Sequence, residues 1–173
     1  ELAMKWLRLA VQRIDDLNEI IAKTVGWIVI ITMSTTIYDV VMRYFFNAPT
    51  IWAYELGGLL LAPFWLLAGG YVLLQNAHVR MDVFYRRLTP RKQAILDLVT
   101  YTFFFFYCSL ILIYGWDYFW LSFTRQDHSR TLWKPILWPF KAMLPAGAGL
   151  ILLAGIAKYT RDLYIAITGR PLE

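Results

Sequence analysis

Cysteine and histidine are nearly absent from this chain of 173 residues, which has one cysteine, Cys108, and two histidines, His78 and His128. A single cysteine excludes an internal disulfide framework and a dithiol relay. A haem within a membrane needs axial ligands, typically histidines, at depth, and both histidines lie outside the long apolar segments. No spacing resembles a serine or cysteine triad or a glycine-rich phosphate loop. The sequence therefore predicts no catalytic residue, no metal site and no bound cofactor.

Charged residues are also scarce, at 17% of the chain, while hydrophobic residues make up 59%. Soluble domains are typically about 45–50% apolar and about 25% charged. Four charge-poor stretches reach the roughly 20 residues that span a bilayer, and they cover residues 24–42, 51–74, 94–120 and 138–157. These stretches predict four transmembrane helices.

A polar stripe is missing from these stretches, although each helix of a soluble bundle would need one. The run from Phe103 to Phe106 places an aromatic ring on every face of its helix, and the run from Leu59 to Leu61 is nearly as uniform. We therefore predict an all-α integral membrane protein that forms a single membrane domain over residues 1–173.

The segment 1–22 has a different pattern from the four spans. Its apolar residues recur at spacings of three and four, as expected on one face of a helix. These residues are Leu7, Val11, Ile14, Leu17 and Ile21. We predict an N-terminal amphipathic helix that lies at the membrane interface. The alternative is a polar extension of the first spanning helix.

The distribution of basic residues predicts the orientation of the four spans. With four spans, both termini and the middle loop share one side, which holds twelve Lys and Arg against five on the other. Because cytoplasmic loops carry the excess of basic residues, we expect both termini to be cytoplasmic. The formal net charge of +5 thus reflects topology and lipid headgroup contacts. We expect membrane lipids, and no nucleic acid, as partners.

Few ionisable residues lie near the spans, and such residues are the default functional candidates. Asp39 and Arg43 are four residues apart and predict an intrahelical pair. The alternative is a bridge from Arg43 to Glu55 on the second span. Gly58 and Ala62 allow close approach of another helix. Our candidates for helix–helix or subunit contacts are Asp39, Arg43, Trp52, Glu55, Gly58 and Ala62.

The segment 117–140 is the longest predicted loop on the side opposite the termini. It mixes aromatic and charged residues, and it is either a solvated connector with an aromatic belt or a docking surface. The docking candidates are Arg125, Asp127, Arg130 and Lys134.

A series of short motifs between Met42 and Pro90 carries a family resemblance. In chain order they are Arg43-Tyr44, Asn47 with Pro49, Trp52-x-x-Glu55, His78-x-x-x-Asp82 and Leu88-Thr89-Pro90. Together they resemble the small membrane subunit of the tripartite ATP-independent periplasmic (TRAP) transporters. One departure is that Tyr54 and Gly57 stand where members of that family often carry an acid and an arginine.

The resemblance implies a division of labour in a bacterial inner membrane. A large membrane subunit would move the substrate, coupled to sodium, and a periplasmic binding protein would capture it, commonly as a carboxylate. This chain would be the scaffold and help to dock the binding protein, with the sodium site on the large subunit. The cytoplasmic-loop residues His78 and Asp82 match the family pattern, and we expect them to order that loop. The sequence does not identify the substrate, because in this family another chain binds it.

Two alternatives belong to other functional classes. A self-sufficient small exporter would need a membrane-embedded carboxylate, for which Glu55 is the candidate in the second span. A four-helix membrane enzyme or electron carrier would retain a haem, quinone or thiol cofactor on purification.

Overall fold

Four long helices make up almost all of the chain that the structure, a computed structural model, describes. The described residues are 2–75 and 89–168. The helices are α1 (Leu2–Phe45), α2 (Ala53–Leu74), α3 (Pro90–Arg125) and α4 (Trp138–Thr168). All four are long and apolar enough to cross a membrane. The prediction of an all-α protein with four transmembrane helices is confirmed.

The N-terminal segment is not a separate interfacial helix in the structure. α1 runs without interruption through 44 residues, or roughly 66 Å at 1.5 Å per residue. No proline occurs in α1, and its one glycine, Gly26, lies beyond the amphipathic segment, so the backbone has no reason to break between them. The structure thus has the arrangement that we gave as the alternative, a polar extension of the first spanning helix.

The helices form an open row rather than a closed four-helix bundle. α4 packs between α2 and α3, whereas α1 packs mainly on α2 and only lightly on α4. Small residues on α4 permit these approaches. A methyl group added at Gly147 would lie 2.8 Å from the carbonyl oxygen of Leu66 on α2, and one at Gly155 would overlap the ring of Phe104 on α3. α4 is therefore the helix that joins α2 and α3 in the row.

Polar residues near the two ends of each helix mark the expected position of the bilayer. On every helix the apolar part lies between two such residues, separated by about 20 residues or ~30 Å, which is the thickness of the hydrocarbon core. The pairs are Glu19 and Asp39, Glu55 and Gln75, Asp97 and Asp117, and Lys141 and Arg161. The end that holds the start of α1 and the end of α4 is called the terminus side below, and the opposite end the loop side.

Large apolar side chains cover the outward faces of the row. On α3, Phe103 is 73% exposed, Phe106 68% and Tyr114 68%. A soluble protein rarely exposes such a continuous apolar surface, so lipid or another membrane subunit must cover it.

Candidate functional site

Ionic and hydrogen-bonded contacts join the helices on the terminus side. The Arg161 guanidinium of α4 forms a salt bridge with Asp15 of α1. The Tyr101 hydroxyl of α3 donates a hydrogen bond to Asp162 of α4, with a distance of 3.2 Å between the oxygens. α4 thus binds both its neighbour α3 and the N-terminal part of α1, which explains why the amphipathic segment stays with the other helices.

Asn18 of α1 is fully buried beside this salt bridge, with 0% of the residue exposed. Its Nδ2 donates to the Ile14 carbonyl at 2.9 Å, while its Oδ1 has no hydrogen-bond partner among the described residues. This oxygen lies so close to Gly70 of α2 that a methyl group there would overlap it. The same methyl group would lie 3.1 Å from the Leu150 carbonyl oxygen of α4. Asn18, Gly70 and Leu150 therefore form a three-helix junction.

Asp39 organises the turn between α1 and α2 on the loop side. Its Oδ1 accepts hydrogen bonds from the Thr50 backbone amide at 2.9 Å and from the Thr50 hydroxyl. Its Oδ2 accepts from Arg43 Nη2 at 2.7 Å. The turn also contains Asn47 at φ 50°. Asp39 is 8% exposed, and its carboxylate is occupied by these three donors.

Glu55 does not pair with Arg43. Its Oε2 accepts a hydrogen bond from the Thr131 hydroxyl of the α3–α4 loop, while Arg43 bonds to Asp39 one turn away on its own helix. The intrahelical partner is favoured because residues four apart already face each other. Glu55 thus ties the loop to α2, and it lies in the first turn of α2 rather than near the middle of the membrane.

Asp127, one of the predicted docking residues, is paired within the chain. Lys141 Nζ at the start of α4 lies 3.1 Å from Asp127 Oδ2 and 4.3 Å from the centre of the Tyr118 ring. This ammonium holds the pKa of Asp127 below its ordinary value of 3.8. Asp127 therefore fixes the base of the loop. The other three docking candidates, Arg125, Arg130 and Lys134, have exposed side chains.

Trp52 packs against α1 near the turn. Its ring is stacked on that of Tyr38 with 6.0 Å between the centroids. The two residues join α1 and α2 on the loop side. His78 and Asp82 lie outside the described residues.

An open cavity of about 610 Å³ lies between α1 and α2, lined by Thr32, Thr36, Asp39 and the backbone of Gly57 and Gly58. No described atom outside the backbone of α2 lies within 4 Å of a methyl group built on Gly58, and Ala62 is exposed. Among the described residues, the predicted small-residue pattern therefore makes no close approach to another helix. Close approaches occur instead at glycines farther along α2.

The described residues contain no group of three or more His, Cys, Asp or Glu that could hold a metal ion. The ion pairs and hydrogen bonds described above lie toward the two ends of the helices. This distribution suits the positioning of helices and loops more than the passage of an ion through the middle of the membrane.

Sequence reasoning missed the Asp15–Arg161 bridge, the Asn18 junction and the role of Thr131. Asn18 lies on the apolar face of α1, and this was a signal for the junction, because a buried polar group marks a specific contact. Nothing in the sequence joins Thr131 to Glu55, which are 76 residues apart.

Comparison with known families gives one match. The family model described as "Tripartite ATP-independent periplasmic transporters, DctQ component" matches residues 32–164, which include α2, α3 and most of α4. No curated protein matches the sequence.

Proposed function

Since this chain belongs to the DctQ component family of the tripartite ATP-independent periplasmic transporters, we propose that it is the small membrane scaffold of such a transporter. In this role it binds the large translocating subunit and helps to receive the soluble binding protein. Members of this family are transporter components and not enzymes.

The exposed apolar surface of the helix row carries this proposal. A chain that moved a solute alone would need a polar site at mid-membrane depth, typically between broken helices. The contacts of Asp15, Asp39 and Asp127 instead join helices and loops. The long outward faces of α1 and α3 are available to lipid and to a second membrane subunit. A scaffold accounts for both features.

The exporter alternative assigns ion coupling to Glu55. Its carboxylate bonds to Thr131 in the first turn of α2, where it connects a loop to a helix. Nothing in this arrangement favours an exporter over a scaffold.

The finer parts of the proposal follow from the family resemblance. Sodium coupling and carboxylate recognition are assigned to the other two subunits, and this chain holds neither sodium nor substrate. We place the chain in a bacterial inner membrane with the terminus side in the cytoplasm, which the excess of basic residues supports.

The orientation is tested by cysteine labelling in a Cys108→Ala background. A cysteine replacing Ser129 should react with an impermeant reagent added from the periplasm, whereas one replacing Gln93 should not. The opposite labelling pattern would reverse the proposed orientation.

The scaffold role is tested by co-expression and reconstitution. The chain should copurify with a much larger membrane subunit. In liposomes with a sodium gradient it should move no carboxylate alone, but should support uptake with that subunit and the binding protein. Uptake by the purified chain alone, or full uptake by the other two components without it, would refute the proposal.

A further inference from the structure

The tip of the α3–α4 loop, residues 130–134, has a closed base. The Ser129 amide donates to the Pro135 carbonyl at 2.9 Å, and the Leu137 amide donates to the Asp127 carbonyl at 2.9 Å. These two hydrogen bonds hold the two sides of the loop together below the tip. The five tip residues therefore project as one unit.

Side-chain contacts fix the tip relative to the helices. Thr131 in the tip donates to Glu55 of α2 and lies 3.1 Å from the Ser129 hydroxyl, oxygen to oxygen. At the base, Asp127 is paired with Lys141 of α4. The loop is thus tied to two helices, so little conformational entropy remains to be lost when a partner binds it.

The tip presents an apolar apex between two cations. Leu132 is 85% exposed and Trp133 is 37% exposed. Arg130 and Lys134, on either side of them in the sequence, are also exposed. The acid at the base, Asp127, is neutralised by its ion pair.

We propose that Leu132 is the anchor of a docking site, and that it enters an apolar pocket surrounded by acidic residues on the soluble binding protein. This inference rests on the proposed function and adds the residue and the partner chemistry. Interfaces draw most of their binding energy from a few central residues that fill well-packed, desolvated pockets, while surrounding charges mainly steer association. The tip has this arrangement, with Leu132 at the centre and Arg130 and Lys134 at the rim.

A lipid surface is the other chemistry that binds basic and apolar residues together. Such a surface accommodates a flexible segment and does not require a fixed geometry. A protein pocket, in contrast, rewards an apex held in one position. The hydrogen bonds at the base and the Thr131 contact therefore favour a protein partner.

The test uses the complex of this chain with its large subunit in nanodiscs and the purified binding protein. Leu132→Ser should raise the Kd for the binding protein at least about tenfold, as expected for a central contact. Ile136→Ser is the matched control, because Ile136 is an apolar residue of the same loop, 44% exposed, outside the tip. It should change the Kd less than about twofold.

Charge variants separate steering from anchoring. Arg130→Gln with Lys134→Gln should slow association mainly at low salt and flatten the salt dependence. Leu132→Ser should instead speed dissociation with little change in salt dependence.

Equal Kd values for Leu132→Ser and Ile136→Ser would overturn the proposal. So would a nitroxide label on Leu132→Cys, in the Cys108→Ala background, that lies at acyl-chain depth in the intact complex. Leu132→Ala provides a second variant, and unchanged copurification with the large subunit shows that each variant assembles. If the wild-type complex fails to bind the soluble protein at all, the proposed function fails rather than the assignment of Leu132.

Discussion

Replacing Gly70 with alanine tests whether the three-helix junction sets the packing of α1. The added methyl group would overlap the Asn18 amide oxygen of α1 and lie 3.1 Å from the Leu150 carbonyl oxygen of α4. Asn18 is fully buried, so either its amide must reorient within the junction or α2 must shift, and the Leu150 backbone must also give slightly.

The expected magnitude follows from two opposing effects. Overpacking a close helix contact costs about 1–3 kcal/mol, and replacing glycine by alanine within a helix recovers about 0.5–1 kcal/mol. The net loss of stability relative to the wild type should therefore be at most roughly 2.5 kcal/mol. Relative to a glycine-to-alanine change without the overlap it should be about 1–3 kcal/mol, and each 1 kcal/mol lowers the melting temperature of a chain of this length by roughly 2–4 °C.

The buried Cys108 thiol supplies the assay. Cys108 is 6% exposed and is the one cysteine of the chain, so a thiol-reactive fluorogenic dye should report unfolding of the purified chain on heating. Gly58→Ala is the matched control, because no described atom outside the backbone of α2 lies within 4 Å of its added methyl group. That variant should melt at the wild-type temperature or slightly above it.

A second substitution tests the contact directly. Asn18→Ala combined with Gly70→Ala should be more stable than the sum of the two single effects predicts, because the amide and the methyl group no longer compete for one space. A melting temperature for Gly70→Ala equal to that of Gly58→Ala would refute the packing argument.

Three further predictions concern the loop side. Asp39→Ala should lower the melting temperature more than Arg43→Ala does, because it removes the acceptor of three donors, whereas Arg43→Ala removes one donor with an exposed side chain. Arg43→Ala and Glu55→Ala should have additive effects on copurification with the large subunit. A double variant that exchanges the two charges should not restore copurification, and restored copurification would show a direct pair. Lys141 lowers the pKa of Asp127, so the contribution of this ion pair to stability is complete above the ordinary pKa of 3.8. That contribution is lost as the pH falls through the lower pKa of the folded state. Over that acidic range, the melting temperature of Asp127→Asn should therefore fall less than that of the wild type.

The four helices could be predicted because the bilayer imposes a length and an apolar composition on each span. The helices extend beyond the predicted spans. The third span was predicted from residue 94 and α3 begins at Pro90, while the fourth span was predicted to residue 157 and α4 ends at Thr168. Hydropathy marks the part of a helix that lies in lipid, but hydrogen bonding continues the helix into water until a cap or a proline ends it.

The contacts of the candidate site residues were likewise predictable only in part. The spacing of Asp39 and Arg43 predicted an intrahelical pair, since a local contact depends only on helix geometry. The partner of Glu55 and the pairing of Asp127 with Lys141 depend on how the long loop folds back, and no local pattern specifies that path. The docking role of Arg125, Asp127, Arg130 and Lys134 stays a prediction.

The sequence by itself determined the membrane class, the number of spans and the family, because these depend on composition, length and the order of short motifs. Only the tertiary structure decided the order of the helices in the row, the attachment of the N-terminal segment and the junction of Asn18 with Gly70. The physical reason is that an apolar helix face is equally stable against lipid and against another helix as far as hydrophobicity is concerned. Which faces meet is therefore decided by close packing at small residues such as Gly70, Gly147 and Gly155, and by the few polar contacts at the helix ends.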